Sequence, residues 1–388
     1  MPPRYRLIAT LLGALTALGP LGVDMYLPAF PAMGQDLSAS PAAIQRTLAT
    51  FLLGLAVGQV AFGALSDRIG RRRPIFVGLA VFTLASAGCA IAASAEALTW
   101  LRLLQALGGC AGMVVARAVV RDLCDERGAV RMMAMLMLVM GAAPILAPML
   151  GGWLMAGLGW RAIFWVLTAY GVLAALMVAW LLPESLPPER RRQDGPMQVV
   201  LVYLGILRDR RFLSCALAGA LPMVGLFAYL VGSPHVLMQT HGLSPVVYGM
   251  AFGSNAFGLI LMSQVTARLV RRYPPGQLLH AALTAQAAVG LLAFAATLTG
   301  LLWPLLLSFF LYLSIMGMVL PTASAMAMAP LGRVAGSASA LIGTLQFGSG
   351  ALVGVLLGAF GEGAAWPMGA LLACAGLGGL VAHRALRG

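Results

Sequence analysis

Apolar stretches about as long as a bilayer is thick recur along this chain from residue 7 to residue 386. A helix rises 1.5 Å per residue, so roughly 20 apolar residues cross about 30 Å of hydrocarbon. A water-soluble core explains one or two such stretches, not a series that fills the chain. Of the 388 residues only 10% are charged and 61% are hydrophobic, against about 25% charged in a typical soluble domain. Hydrocarbon offers no water to backbone N–H and C=O groups, so each span must be a helix that satisfies its own. The predicted fold class is therefore an all-α integral membrane protein.

The stretches fall at about 5–28, 43–65, 74–94, 98–120, 131–156, 161–182, 211–234, 243–267, 276–298, 302–327, 334–360 and 365–386, which makes twelve transmembrane helices. The 47 glycines and 22 prolines do not oppose this, because membrane helices tolerate both. The first stretch, flanked by Arg4 and Arg6, is too long for a signal peptide and runs into Pro28 and Pro31 where a cleavage site would need small residues.

Every basic residue is an arginine, and their distribution is one-sided. Arg4, Arg6, Arg68, Arg71–Arg73, Arg121, Arg127, Arg131, Arg190–Arg192, Arg208, Arg210, Arg211, Arg268, Arg271, Arg272, Arg333, Arg384 and Arg387 fall on one set of ends and loops; the opposite face holds Arg46 and Arg161. That bias places both termini in the cytoplasm. The net charge of +13 then faces anionic membrane lipid, not nucleic acid. The five cysteines are scattered mostly through spans, and neither they nor His235 and His241 have the spacing of a metal site or a disulfide framework. No metal or cofactor is expected.

The longest polar segment, residues 184–210, separates six spans from six: 1–183 reads as an N-terminal bundle, 184–210 as a cytoplasmic linker with a short surface helix over Met197–Leu207, and 211–388 as a C-terminal bundle. A shift of 200 residues carries Gly58 onto Gly258, Arg68 onto Arg268, Arg71–Arg72 onto Arg271–Arg272 and Pro74 onto Pro274. Two pseudo-symmetric six-helix bundles follow, an arrangement suited to alternating access.

Asp24 stands out against this background. It follows an uncharged run from Leu7 to Val23 and precedes Met25-Tyr26-Leu27-Pro28-Ala29-Phe30-Pro31. An acid at membrane depth is costly and points to an ion or substrate path; an early helix end in the headgroup layer is the plainer alternative. Arg102, in Leu101-Arg102-Leu103-Leu104-Gln105-Ala106, enters its span from the same outer side, so the two are expected to meet. Arginine nearby favours the carboxylate while burial disfavours it.

The turn Gly63-Ala64-Leu65-Ser66-Asp67-Arg68-Ile69-Gly70-Arg71-Arg72-Arg73-Pro74 resembles the loop signature of the major facilitator superfamily. The resemblance implies the major facilitator fold and a cytoplasmic gate at Gly63, Asp67, Arg68, Gly70 and Arg71, with Arg117 and Arg121 on one face of the fourth span. Ala267 stands where the second repeat would need the aspartate. Gly141, Pro144, Pro148, Gly151 and Gly152 resemble the antiporter motif of the fifth span, with Ala143 and Ala147 replacing two glycines; prolines there are expected to bend a hinge. Asp24–Ala29, Arg117–Asp122 and Leu182–Ser185 are similar to elements of the Bcr/CflA drug-resistance branch.

The resemblance implies a bacterial inner-membrane exporter that exchanges protons for small amphipathic compounds, acts as a monomer, and uses Asp24 and Arg102 for coupling. Tyr26, Tyr229, Asn255, Phe309, Tyr312 and Gln346 are the candidate cavity residues. Export of an endogenous metabolite is the alternative, and a non-transporting receptor a distant one. An enzyme is not expected, because no nucleophile, base and metal constellation converges; nor is ATP-driven transport, because a chain without lysine lacks a phosphate-binding Gly-x-x-x-x-Gly-Lys-Ser/Thr loop.

Overall fold

A computed structural model describes residues 3–123, 126–191, 196–359 and 365–385. The side chains of Arg121, Gly141 and Pro144 lie outside the described residues. The helices, in order, are α1 (Pro3–Asp24), α2 (Phe30–Asp36), α3 (Pro41–Ile69), α4 (Arg72–Ala90), α5 (Ala95–Leu123), α6 (Glu126–Leu158), α7 (Trp160–Leu181), α8 (Pro196–Arg208), α9 (Arg210–Ser233), α10 (Pro245–Leu269), α11 (Pro275–Thr299), α12 (Leu302–Met328), α13 (Ala335–Ala359) and α14 (Trp366–Ala385). Among the described residues ten helical segments are long and apolar enough to cross a membrane. The remaining expected spans, 131–156 and 334–360, coincide with α6 and α13, which include side chains outside the described residues.

Local sequence sets the helix ends. Ser40 and Ser244 each precede a proline and accept a hydrogen bond from the amide three residues on, Ala43 and Val247, both at 3.3 Å. This pairs an N-cap with proline in the first turn, where a missing N–H costs nothing. Gly300 closes α11 in the left-handed region at φ 65°.

The first span differs from the uninterrupted helix expected over 5–28. It stops at Asp24, passes through a 3₁₀ turn at Leu27–Ala29 and resumes as α2. Pro28 has no N–H to give the Asp24 carbonyl four residues back, so the α-helical ladder ends there. Ala29 N donates instead to Tyr26 O at 2.9 Å. The seventh span is likewise longer than expected: α9 continues through a π-helical stretch, Pro234–Thr240.

Leu84, Leu158, Trp180 and Trp303 are all more than 70% exposed, which suits hydrocarbon and interface contact. Between helices, small residues let backbones approach. A Cβ added at Gly108 of α5 would lie 2.5 Å from the Gly78 carbonyl oxygen of α4. The N-terminal and C-terminal helices meet along α3–α13 and α6–α10. At the arginine-poor end the second seam is backbone on backbone: a Cβ at Gly249 would lie 2.7 Å from Pro148 O, and one at Gly152 2.8 Å from Pro245 O. The α2 segment also touches the Pro234–Thr240 stretch, so this end is closed across the seam.

Replacing Gly108 by valine should therefore destabilise the α4–α5 pair by about 1–3 kcal/mol. The purified protein should melt lower, whereas Gly157→Val, where a Cβ meets nothing within 4 Å, should leave the melting temperature close to that of the parent chain.

Candidate functional site at the break in the first span

The break in α1 is occupied by a guanidinium from α5. Arg102 is fully buried, and its Nη2 donates to Gly22 O at 2.7 Å, two residues before Asp24. Its Nη1 donates to Gln105 Oε1 at 2.5 Å, and Gln105 Nε2 donates to Ser86 Oγ at 2.7 Å. The guanidinium carbon stands 4.0 Å from the ring centroids of Tyr26 and Phe51 and 5.8 Å from that of Phe164. A cation so enclosed draws its stabilisation from ring faces and from the negative end of a helix.

The expected contact with Asp24 is not made. Among the described residues neither Asp24 nor Arg102 forms an ion pair; the arginine binds the backbone on one side of Asp24 and packs on Tyr26 on the other. The physical reason is the helix break, which exposes the Gly22 carbonyl and gives the guanidinium a partner that needs no carboxylate. Asp24 itself is buried, as are Tyr229 and Tyr248 of the C-terminal helices, and the 3₁₀ turn that follows Asp24 touches α10.

Those tyrosines sit in a hydroxyl and amide cluster. Asn255 Nδ2 donates to Tyr229 OH at 2.9 Å, and Ser233 Oγ lies 3.1 Å from Tyr248 OH. Phe309 meets Tyr229 edge-on at 5.0 Å. Tyr312 OH donates to Pro222 O at 3.3 Å. Of the six candidate cavity residues, Tyr26, Tyr229, Asn255, Phe309 and Tyr312 are thus buried in packing, and only Gln346 on α13 is half-buried. Tyr248, Ser233, Gln105 and Ser86 were absent from the candidates; no periodicity or motif marks them, apart from Gln105 within the Arg-x-x-Gln element.

The helix α6 runs unbroken through the fifth-span motif. Gly151 lies directly against the Met25 backbone, and Pro148 and Gly152 lie against α10. These residues line the closed seam beside Asp24, while Gly141 and Pro144 lie outside the described residues.

At the arginine-rich end, Arg71 gathers its neighbours. Its Nη1 donates to Asp67 Oδ1 at 2.5 Å and to Ser66 Oγ at 3.0 Å, and its Nε donates to Asp122 Oδ2 at 2.8 Å. Glu184, just beyond α7, accepts from Arg71 N at 2.8 Å, Leu186 N at 3.1 Å and Arg72 N at 3.3 Å. Gly70 has φ 98°, and a Cβ there would collide with the Glu184 carboxylate, so glycine is required. These partners all belong to the N-terminal helices and the segment after α7; the network ties that half together at its base. Arg68 is exposed, and Gly63 has room beside Val114. Arg117 Nη2 reaches Gln59 Oε1 at 3.4 Å, and the side chain of Arg121 lies outside the described residues.

The Glu184 carboxyl sits below the ordinary carboxylate range: partial burial raises it, but the amides of Arg71, Leu186 and Arg72 and the nearby Arg191 charge outweigh that. A depressed acid stabilises the fold above its unfolded value and loses that contribution as pH falls through the folded one. Melting temperatures should accordingly drop on acidification below about pH 4.5, and Glu184→Gln should be less stable at neutral pH with a flatter acid limb.

Residues 12–355 match the Major Facilitator Superfamily. The chain is 38% identical over 94% of its length to an uncharacterized MFS-type transporter, YdgK, of Bacillus subtilis, covering 91% of that protein. It is 31% identical to a bicyclomycin resistance protein homolog of Haemophilus influenzae, covering 92% of this chain and 90% of that one. To a chloramphenicol resistance protein of Pseudomonas aeruginosa it is also 31% identical, over 94% of this chain and 87% of that one. The crystal structure of a D-xylose-proton symporter superposes with a TM-score of 0.75 at 16% identity, over 98% of this chain and 97% of that one, which speaks to fold alone. The chain belongs to the major facilitator superfamily and is a multi-pass secondary transporter of small molecules, not an enzyme.

Proposed function

We propose that this transporter exports small amphipathic compounds, antibiotics among them, in exchange for protons, as a member of the Bcr/CflA-like branch. Twelve spans form two six-helix bundles, 1–183 and 211–388, joined by a cytoplasmic linker at 184–210, in the inner membrane of a bacterium and with both termini cytoplasmic. The observation that carries the reading is Asp24: a buried carboxyl that forms no ion pair among the described residues, at a helix break pinned by Arg102 and followed by a turn that touches α10. The printed names of the bicyclomycin and chloramphenicol resistance relatives support the substrate class.

The neutral acid is the form that suits a dry, closed seam, since an unpaired carboxylate there is costly. Protonation from outside therefore favours closure of the outer end and the state open to the inside. Substrate entering from the inside favours loss of the proton and return to the outward state. Antiport is the linkage of these two binding events through one two-state protein. Arg102 serves as a positioning residue: it fixes the Gly22 carbonyl, and with it the angle at which Asp24 meets the seam.

Two experiments test this. Adding chloramphenicol or bicyclomycin to purified protein in weakly buffered medium should release protons, and Asp24→Asn should bind without releasing them; release that persists unchanged in the variant removes Asp24 from coupling. Arg102→Leu leaves the Gly22 carbonyl and Gln105 unsatisfied, a penalty of about 1–3 kcal/mol, so drug-driven proton flux in proteoliposomes should fall roughly 5- to 150-fold. Arg102→Lys should recover only part of it, because an ammonium lacks the planar fork that spans both acceptors.

A further inference from the structure

The linker helix α8 has two apolar faces, and only one of them is covered. Ile206 is 4% exposed and packs with Val202, Tyr203 and Leu207 against Phe212 of α9 and Leu341 of α13. On the other side Leu201 is 59% exposed and Leu204 is 48% exposed, and a Cβ added at Gly205 would meet nothing within 4 Å. Positions 201, 204 and 208 share one face of a helix, so this bare stripe ends in Arg208. Arg210 and Arg211 follow at once. All three arginines are exposed, and among the described residues none forms an ion pair. The acid between them, Asp209, is committed to capping α9: it accepts from Arg211 N at 2.8 Å and from Phe212 N at 3.3 Å.

We infer that α8 is a docking helix for anionic phospholipid, with acyl chain along Leu201 and Leu204 and the headgroup phosphate held by Arg208, Arg210 and Arg211. A helix with leucines on one flank and a guanidinium cluster at its end fits the plane of a membrane interface. Guanidinium offers two parallel donors to phosphate oxygens, which an unpaired arginine can use in full. The leucines distinguish a lipid from a free phosphate ion. The arginines disfavour a second copy of this chain, because a symmetric contact would bring two sets of like charge together. Since the covered face of α8 grips α9 and α13, a bound lipid braces the arginine-rich ends of the C-terminal helices.

Amide hydrogen exchange across residues 201–208, in nanodiscs of phosphatidylcholine alone or mixed with phosphatidylglycerol, reads this out on the full chain. Phosphatidylglycerol should slow exchange at least about fivefold. The triple variant Arg208→Gln, Arg210→Gln, Arg211→Gln should lose that difference while keeping its helical circular dichroism and melting temperature, and the triple lysine variant should retain part of it. Equal exchange in the two lipids, or a phosphatidylglycerol effect that survives in the glutamine variant, overturns the inference. So does slowing produced by inorganic phosphate in phosphatidylcholine, which would mean a free-anion site. Protection that grows with protein concentration in detergent would assign the face to a second copy instead.

Discussion

A guanidinium without a carboxylate, sealed between helices in a membrane protein, can persist only if something else supplies negative potential. Around Arg102 that role is filled by the Gly22 carbonyl at 2.7 Å and by the faces of Tyr26, Phe51 and Phe164. The carbonyl is available because α1 ends at Asp24, which leaves Gly22 in a last turn whose carbonyls lack helical partners. Proline placement, helix break, arginine and acid thus form one dependent set. Had α1 continued, its carbonyls would be spent on the next turn, and Arg102 would need Asp24 itself as a partner. The break leaves the acid unpaired.

Helices α5 and α12 supply comparable contacts with different chemistry. Arg102 in α5 and Phe309 in α12 sit at equal distances from their helix starts, Ala95 and Leu302. Arg102 stacks on Tyr26, and Phe309 meets Tyr229 edge-on. Three residues further on, Gln105 accepts from Arg102, while Tyr312 donates to Pro222 O of α9. Each of these helices thus supplies a donor to a carbonyl of another helix that contains a proline. Only the N-terminal version carries charge. A phenylalanine keeps the packing and removes the cation, and α9 carries no acid along its length.

Much of this was legible in the sequence, for reasons that differ by residue. Span lengths follow from hydrocarbon thickness, and the Arg71 loop from its dense spacing of glycine, acid and base. Asp24 and Arg102 were visible because charge is rare where they stand. Their relation was not. Counting residues gives depth but not azimuth, and the Gly22 carbonyl becomes the partner of Arg102 only through the tertiary approach of α5. Glu184 was visible as part of a Leu-Pro-Glu-Ser ending, yet its target, two backbone amides more than a hundred residues earlier, has no side-chain signature. The aromatic residues proposed for a cavity were chosen for composition, and composition cannot distinguish a packed ring from a lining one.

The ends of the molecule are built on opposite principles, and this bears on which contacts a transport cycle must remake. At the arginine-rich end, Arg71, Asp67, Asp122 and Glu184 bind one another within the N-terminal half. Moving one half against the other need not break them. At the arginine-poor end, Gly152 meets Pro245 and Gly249 meets Pro148, both through backbone. Such contacts carry little directional bonding and depend on close fit, so they separate along a seam without leaving charged groups unsatisfied. Their weakness is an advantage for a surface that must open repeatedly. It also means that a single charge appearing beside them, at Asp24, is large compared with what holds the seam shut.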